Sequence, residues 1–491
     1  MQKNVLRILA AVGAIIAAAC VEYAPVTPTA NTATQSNPTA TPSLQLATTA
    51  SLSSSIELVP GQYMVMFKGN GIPQSFATDV AVRGGTVVSS YPKLGIALVS
   101  GISDNAAAAL SKRTDIQNFE QDALFSLDDP ADLLVEAAPD AVVASPASPS
   151  AAFFFPRQWN MRAVSANAVW ATGRTGSATV TVAILDTGID YLHTDLNGRV
   201  DLSRSVSFVP SDDALVHAIF PSRNVITDLY FHGTHVAATV VSNSFVAAGV
   251  TSRTTLFGVK VCSVQATCST SAVLNGILYA TDHGADIINM SLGGGFHKRI
   301  AGGFGSIINR VANYANRNGT LIVVSAGNES SDMDHNGDIY KTYCDSPNVL
   351  CVAATGPASQ ASVNGPWTNV DAPALYTNFG RSTINVAAPG GSITPSGAGV
   401  SAVWAACSQT TLVAQLAACR TSPNFVVGAI GTSMAAPHVT GLAALIKAET
   451  GASPSQIRAR IQQSADDLGD PGTDPFYGKG RINAARALGI N

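Results

Sequence analysis

The run Val180-Thr181-Val182-Ala183-Ile184-Leu185-Asp186-Thr187-Gly188 decides the fold. Its apolar residues are continuous rather than alternating, which is the pattern of a parallel strand covered on both faces. A carboxylate follows at once, then a glycine. Two further apolar runs, Asp286 to Met290 and Leu321 to Val324, read the same way. Helical patterns around Ser271 to His283 and Gly303 to Asn318 lie between and beside them. Strands alternating with helices predict an open, mostly parallel α/β sheet with helices on both faces. In such sheets the carboxyl ends of the strands carry the site, which makes Asp186 a candidate.

Two other short motifs extend that candidate. Phe231-His232-Gly233-Thr234-His235 opens a helical stretch, and Gly431-Thr432-Ser433-Met434-Ala435 runs into the Ala/Leu-rich segment Val439 to Ala448. A serine hydroxyl is a weak nucleophile unless an imidazole takes its proton. The imidazole needs a carboxylate to fix its tautomer and stabilise the imidazolium. Asp186, His232 and Ser433 supply those three groups. Ser433 at a helix start would meet unpaired N–H groups and the positive end of the helix dipole, and Gly431 permits close approach. Rival readings fail on residues. An aspartic peptidase needs two carboxylates sharing a proton, and no second Asp-Thr-Gly or Asp-Ser-Gly occurs. A zinc helix would need His-Glu-x-x-His, which is absent, so His235 is expected to be a packed structural histidine. His193, His217, His283, His297 and His335 default to surface or loop positions. Ser291-Leu292-Gly293-Gly294-Gly295 lacks the Gly-Lys-Ser/Thr ending of a phosphate loop.

With these motifs in the order Asp…His…Ser, residues 156–491 resemble a subtilisin-like serine peptidase (subtilase). The resemblance implies an Asp186-His232-Ser433 triad and peptide-bond hydrolysis through an acyl-enzyme. It implies Asn328, in Val323-Val324-Ser325-Ala326-Gly327-Asn328, as oxyanion-hole donor beside the Ser433 N–H. Ser291, Leu292 and Gly293 are the expected edge for an extended substrate, and Ser325, Ala326 and Gly327 the expected lining of the primary pocket. No charged residue is visibly committed to that pocket, which leans towards broad, apolar selectivity. No cofactor is expected for the chemistry. Asp332, Asp334, Asn336 and Asp338 follow the early spacing of a calcium loop and are candidates for a structural ion. Tyr343 stands where that loop would carry its Glu, and flanking helices are missing.

The remaining sequence frames this domain. Residues 1–20 read as an export signal: Lys3 and Arg7, an apolar run from Ile8 to Ala19, then Cys20. Ordinary cleavage and lipidation of Cys20 compete, so the mature protein is expected outside the cytoplasm, secreted or lipid-anchored at a bacterial surface. Residues 21–55 are a Thr/Ser/Pro tether. Residues 56–122 carry the pattern β-α-β-β-α-β of a small α+β ferredoxin-like domain, and the resemblance implies an inhibitory propeptide. Residues 123–155 turn Ala/Pro/Ser-rich and read as a linker holding the maturation cut. Of seven cysteines, six lie as close neighbours, so Cys262–Cys268, Cys344–Cys351 and Cys407–Cys419 are candidate bridges by proximity. A net charge of −4 with no basic stripe gives no nucleic-acid footprint. Expected partners are protein or peptide substrates and the chain's own propeptide, with membrane contact only through a lipid anchor, in a monomer. A dedicated processing peptidase and a non-catalytic interaction protein on a peptidase scaffold are the alternatives.

Overall fold

A computed structural model describes residues 57–127, 133–139, 148–297, 303–341, 343–393 and 401–490. Residues 1–55, read from the sequence as export signal and tether and including Cys20, lie outside the described residues.

The N-terminal unit follows the order β1 (Glu57–Phe67), α1 (Ser75–Ala81), β2 (Thr86–Tyr91), β3 (Ile96–Ser100), α2 (Asp104–Leu110) and β4 (Ile116–Ser126). Its antiparallel sheet runs β2-β3-β1-β4. Val65, Phe67, Phe76, Val80, Val99 and Leu110 form a separate small core. β4 continues past residue 122 as far as Ser126, and β5 (Leu134–Ala137) forms inside the stretch read as linker.

The large domain is built on a parallel sheet: β6 (Thr181–Asp186), β7 (Thr255–Lys260), β9 (Ile287–Met290), β10 (Leu321–Ser325), β11 (Val349–Gly356) and β12 (Val386–Pro389). A short strand, β8 (Thr267–Ser269), precedes α5 (Thr270–Asp282). The strand order β12-β11-β10-β9-β6-β7 shows that the chain winds from β6 to one side through β7, then to the other through β9 to β12. The winding reverses between β6 and β9. Every residue of β6, β9, β10 and β11 is buried, as the unbroken apolar runs require. One face is covered by α5 and α6 (Phe304–Arg317), whose Ile307, Ile308 and Val311 join the core with Ile288 and Ile322. The other face is covered by α4 (His232–Val240) and α7 (Thr432–Thr450), whose Val439, Leu442 and Leu445 pack with Val182, Ile184 and Val323. Preceding α4 is α3 (Pro210–Ile219). Beyond the main sheet, β13 (Val403–Ala406), β14 (Phe425–Ala429) and β5 make a three-stranded antiparallel sheet. Disulfides join Cys262–Cys268, Cys344–Cys351 and Cys407–Cys419. No described helix is long and apolar enough to cross a membrane.

Candidate active site

The reversal between β6 and β9 opens a crevice at the carboxyl ends of the strands, where an open sheet offers backbone groups to a ligand. Asp186 is the last residue of β6 and fully buried. Its Oδ1 accepts from Thr187 N (2.8 Å) and meets His232 Nδ1 at 2.8 Å. With Nδ1 donating to the carboxylate, Nε2 is the basic nitrogen of His232.

α4 is clamped onto the Asp-Thr-Gly turn by an acid that sequence reading missed. Buried Asp228 accepts from Thr187 Oγ1 (2.9 Å), Tyr230 N (3.0 Å), Thr234 N (3.0 Å) and Thr234 Oγ1 (2.6 Å). Thr187 Oγ1 in turn accepts from Gly233 N at 3.0 Å. Burial lifts the Asp228 carboxyl to about 6 despite these donors. Gly233 is required by closeness, since a Cβ there would lie 2.1 Å from the Gly188 carbonyl oxygen. The Asp228-Leu-Tyr turn four residues before His232 is the only local signal of this role.

Ser433 enters from the first turn of α7. Its hydroxyl donates to Ser291 O (3.1 Å), while Ser291 Oγ donates to Ser433 O (2.7 Å). Asn289 Nδ2 donates to Ser291 Oγ (3.0 Å), and Thr440 Oγ1 to Asn289 Oδ1 (2.7 Å). This buried relay ties the end of β9 to α7. Asn328, just past β10, accepts at Oδ1 from Thr432 N (2.8 Å) and Thr432 Oγ1 (2.9 Å). Fixing the oxygen fixes the other end of the amide. A Cβ on Gly431 would lie 3.4 Å from Asn328 Nδ2 and 3.7 Å from Ser433 N, so both nitrogens lie close to this glycine. Gly431 has φ 148°, which side-chain-bearing residues rarely adopt.

One cleft is lined by Ser291, Leu292, Gly293, Ser325, Ala326, Gly327, Asn328 and Ser433, together with Thr432, Gly294, Leu127 and Glu329. Glu329 is a charged residue where none was expected, and Asn378 Nδ2 donates to its carboxylate. Among the described residues no group of three His, Cys, Asp or Glu gathers as a metal cluster. Two of the four calcium-loop candidates are engaged by protein groups. Asp332 accepts from Asp334 N and pairs with His335, and Asp334 accepts from Arg381 N and the Ser382 hydroxyl.

Three other histidines are buried and serve packing. His235 Nε2 meets Val403 O at 3.0 Å, and burial pushes its pKa down to about 3. His438 donates from Nδ1 to Met434 O (2.8 Å) and accepts from Asn160 Nδ2 (2.8 Å), with a pKa pushed down to about 4. His193 is buried rather than exposed: Nε2 donates to Phe425 O (2.8 Å), and Nδ1 accepts from Asp195 N (3.1 Å).

Comparison with known proteins places this geometry. Residues 177–480 match the subtilase family. Thermitase of Thermoactinomyces vulgaris is 31% identical over 344 residues, 70% of this chain and 99% of thermitase. Subtilisin of Bacillus pumilus is 33% identical over 328 residues, 66% of this chain and 96% of that one. The solved epidermin leader peptide processing serine protease of Staphylococcus aureus covers 87% of this chain and 98% of its own, with a TM-score of 0.64. At 20% identity that likeness concerns the fold. The chain belongs to the subtilase family and is a serine-type endopeptidase acting on proteins or peptides.

Proposed function

We propose that hydrolysis runs through an Asp186-His232-Ser433 triad in an exported zymogen that removes its own N-terminal unit. The observation that carries the reading is the 2.8 Å contact of His232 Nδ1 with buried Asp186 at the reversal crevice, whose neighbouring cleft holds Ser433 and Asn328. His232 Nε2 takes the Ser433 proton as Oγ adds to the scissile carbonyl carbon. Asn328 Nδ2 and the Ser433 N–H stabilise the oxyanion. The imidazolium, held by Asp186, then protonates the departing amine, and water releases the acyl group by the same steps.

The zymogen reading rests on how the N-terminal unit docks. Asp122 is buried at the start of α5, accepting from Ser271 N (2.9 Å) and from the Ser271 hydroxyl. A carboxylate there meets the positive end of the helix dipole. Arg310 on α6 donates to Phe67 O (3.0 Å) and Leu94 O (2.8 Å), and Tyr91 OH donates to Asn275 Oδ1 (2.6 Å). Leu124, Phe125 and Ser126 pair antiparallel with Ser269, Cys268 and Thr267 of β8, and Leu127 N donates to Ala266 O (2.7 Å). Leu127 then lines the cleft beside Ser433. The unit thus lies along the site as a substrate would, and the maturation cut falls soon after Leu127. Intact mass of exported wild type beside Ser433→Ala tests this. Loss of the N-terminal unit in wild type alone is expected, with turnover reduced about 10⁶-fold in the variant, a subtilisin figure. Equal maturation of both would refute self-processing, and undiminished hydrolysis by the variant would refute the triad.

A further inference from the structure

The strand that leads to the nucleophile has both edges occupied, one of them by the chain's own N-terminal arm. β14 pairs with β13 on one side and antiparallel with β5 on the other, in the register Leu134↔Gly428, Val135↔Val427, Glu136↔Val426 and Ala137↔Phe425. β5 is anchored beyond its ladder. Ala138 N donates to Asn424 O (3.1 Å), and Ala138 is buried with Phe154, Trp404 and Val426. Glu136 pairs with Arg157 at 2.7 Å, and that guanidinium lies over Trp404 at 4.9 Å.

The direction of the chain gives this edge a meaning. Residues 124–126 run along β8, Leu127 passes beside Ser433, and the chain then reaches β5 on β14. A substrate running the same way lays the residues before its scissile bond on β8 and sends those after it towards β14. Adding a strand requires a row of unpaired backbone N–H and C=O groups. β5 has taken that row.

We infer that residues 134–137 stay with the mature enzyme as a fixed strand on the leaving-group side of the cleft and limit how far a bound substrate extends beyond the scissile bond. This rests on the proposed triad and on a cut after Leu127. The favoured substrates are chains that end, or turn away, within a few residues of the cut.

The test uses two peptides with the same residues before the scissile bond, one carrying about two residues after it and the other about eight. Wild type should prefer the short peptide by roughly tenfold in kcat/KM, because the longer one has to break one or two of the backbone hydrogen bonds between β5 and β14 to seat itself. Glu136→Pro removes a backbone N–H and the carboxylate facing Arg157, and Glu136→Ala removes the carboxylate alone. Both should narrow the difference through a lower KM for the long peptide, Glu136→Pro more, with kcat on the short peptide unchanged. Equal use of both peptides by wild type would overturn the inference. So would an unchanged preference in both variants, or a mature N-terminus beyond residue 139 by intact mass. A short peptide cut as fast by Ser433→Ala would instead strike the triad.

Discussion

Acidification probes the interior behind the nucleophile, because two buried histidines there are held neutral. Their unfolded-state value is 6.5, while burial brings His438 to about 4 and His235 to about 3. Between these limits the unfolded chain binds more protons than the native one, so stability falls as pH drops below about 6.5. By about pH 4 the loss reaches ~3 kcal/mol for each ring. Asp228 acts in the opposite sense. Its carboxyl is raised from 3.8 to about 6, so the native state takes up that proton first. Acidification to about pH 4 therefore returns ~2 kcal/mol through this group. For these three groups together the loss is ~4 kcal/mol, and the buried Asp122 and Asp195 carboxyls, raised by burial like Asp228, make the loss of the whole protein smaller; the scale to set it against is the ~5–15 kcal/mol that holds a typical domain together. Urea unfolding of Ser433→Ala, which avoids self-digestion, would measure it at about pH 7 and pH 4. Adding His438→Asn isolates one ring: the parent should lose ~3 kcal/mol more than the double variant over that interval, whatever the substitution costs at neutral pH. Identical pH dependence in the two proteins, or a His438 ring that titrates near its unperturbed value by NMR, would refute the burial argument.

Other substitutions separate chemistry from support. Asn328→Ala should lower kcat by ~10²–10³ with little change in KM, a size carried over from subtilisin itself; an unchanged kcat would remove Asn328 from the oxyanion site. Gly233→Ala would press a methyl group into the Gly188 carbonyl, so thermal unfolding should show a loss of at least ~1–3 kcal/mol, with activity falling as His232 shifts; wild-type stability would mean that the turn yields. Replacing Cys262 and Cys268 together by Ser opens a bridge spanning six residues, for which chain-entropy arguments give ~2 kcal/mol. Because that bridge closes the turn carrying β8, KM for extended peptides should rise more than kcat falls, and an unaltered KM would show that β8 holds its shape alone.

What was legible in the sequence is what the backbone itself carries. Asp186, His232, Ser433 and Asn328 each sit where a strand ends or a helix begins, so residue type and local pattern appear together. The buried parallel strands were legible for the same reason, since covering both faces leaves no alternation to confuse them. The supports were not. Asp228 works through Thr187 and Thr234, and Asn289 through Ser291 and Thr440, contacts that no spacing encodes. His193 does lie in a loop, but its burial was not legible because its partner, Phe425 O, lies 232 residues away. Glu329 escaped notice in the cleft because its neighbour Asn378 is likewise remote.

The same reasoning explains why Leu134-Val135-Glu136-Ala137 read as linker. A strand of four residues has almost no periodicity of its own, and its Ala/Pro/Ser-rich surroundings carry the signature of a tether. Its structure comes from the edge of β14, nearly three hundred residues further on, which supplies the hydrogen bonds that a lone segment lacks. Leu124 to Ser126 are the parallel case on the other side of the cleft, ordered by β8. On the proposed reading of the cleft, both segments are shaped by surfaces that a substrate would also meet. If substrates do bind along β8 and towards β14 as proposed, a stretch that looks featureless in sequence yet forms strand there reports a recognition chemistry of main-chain pairing.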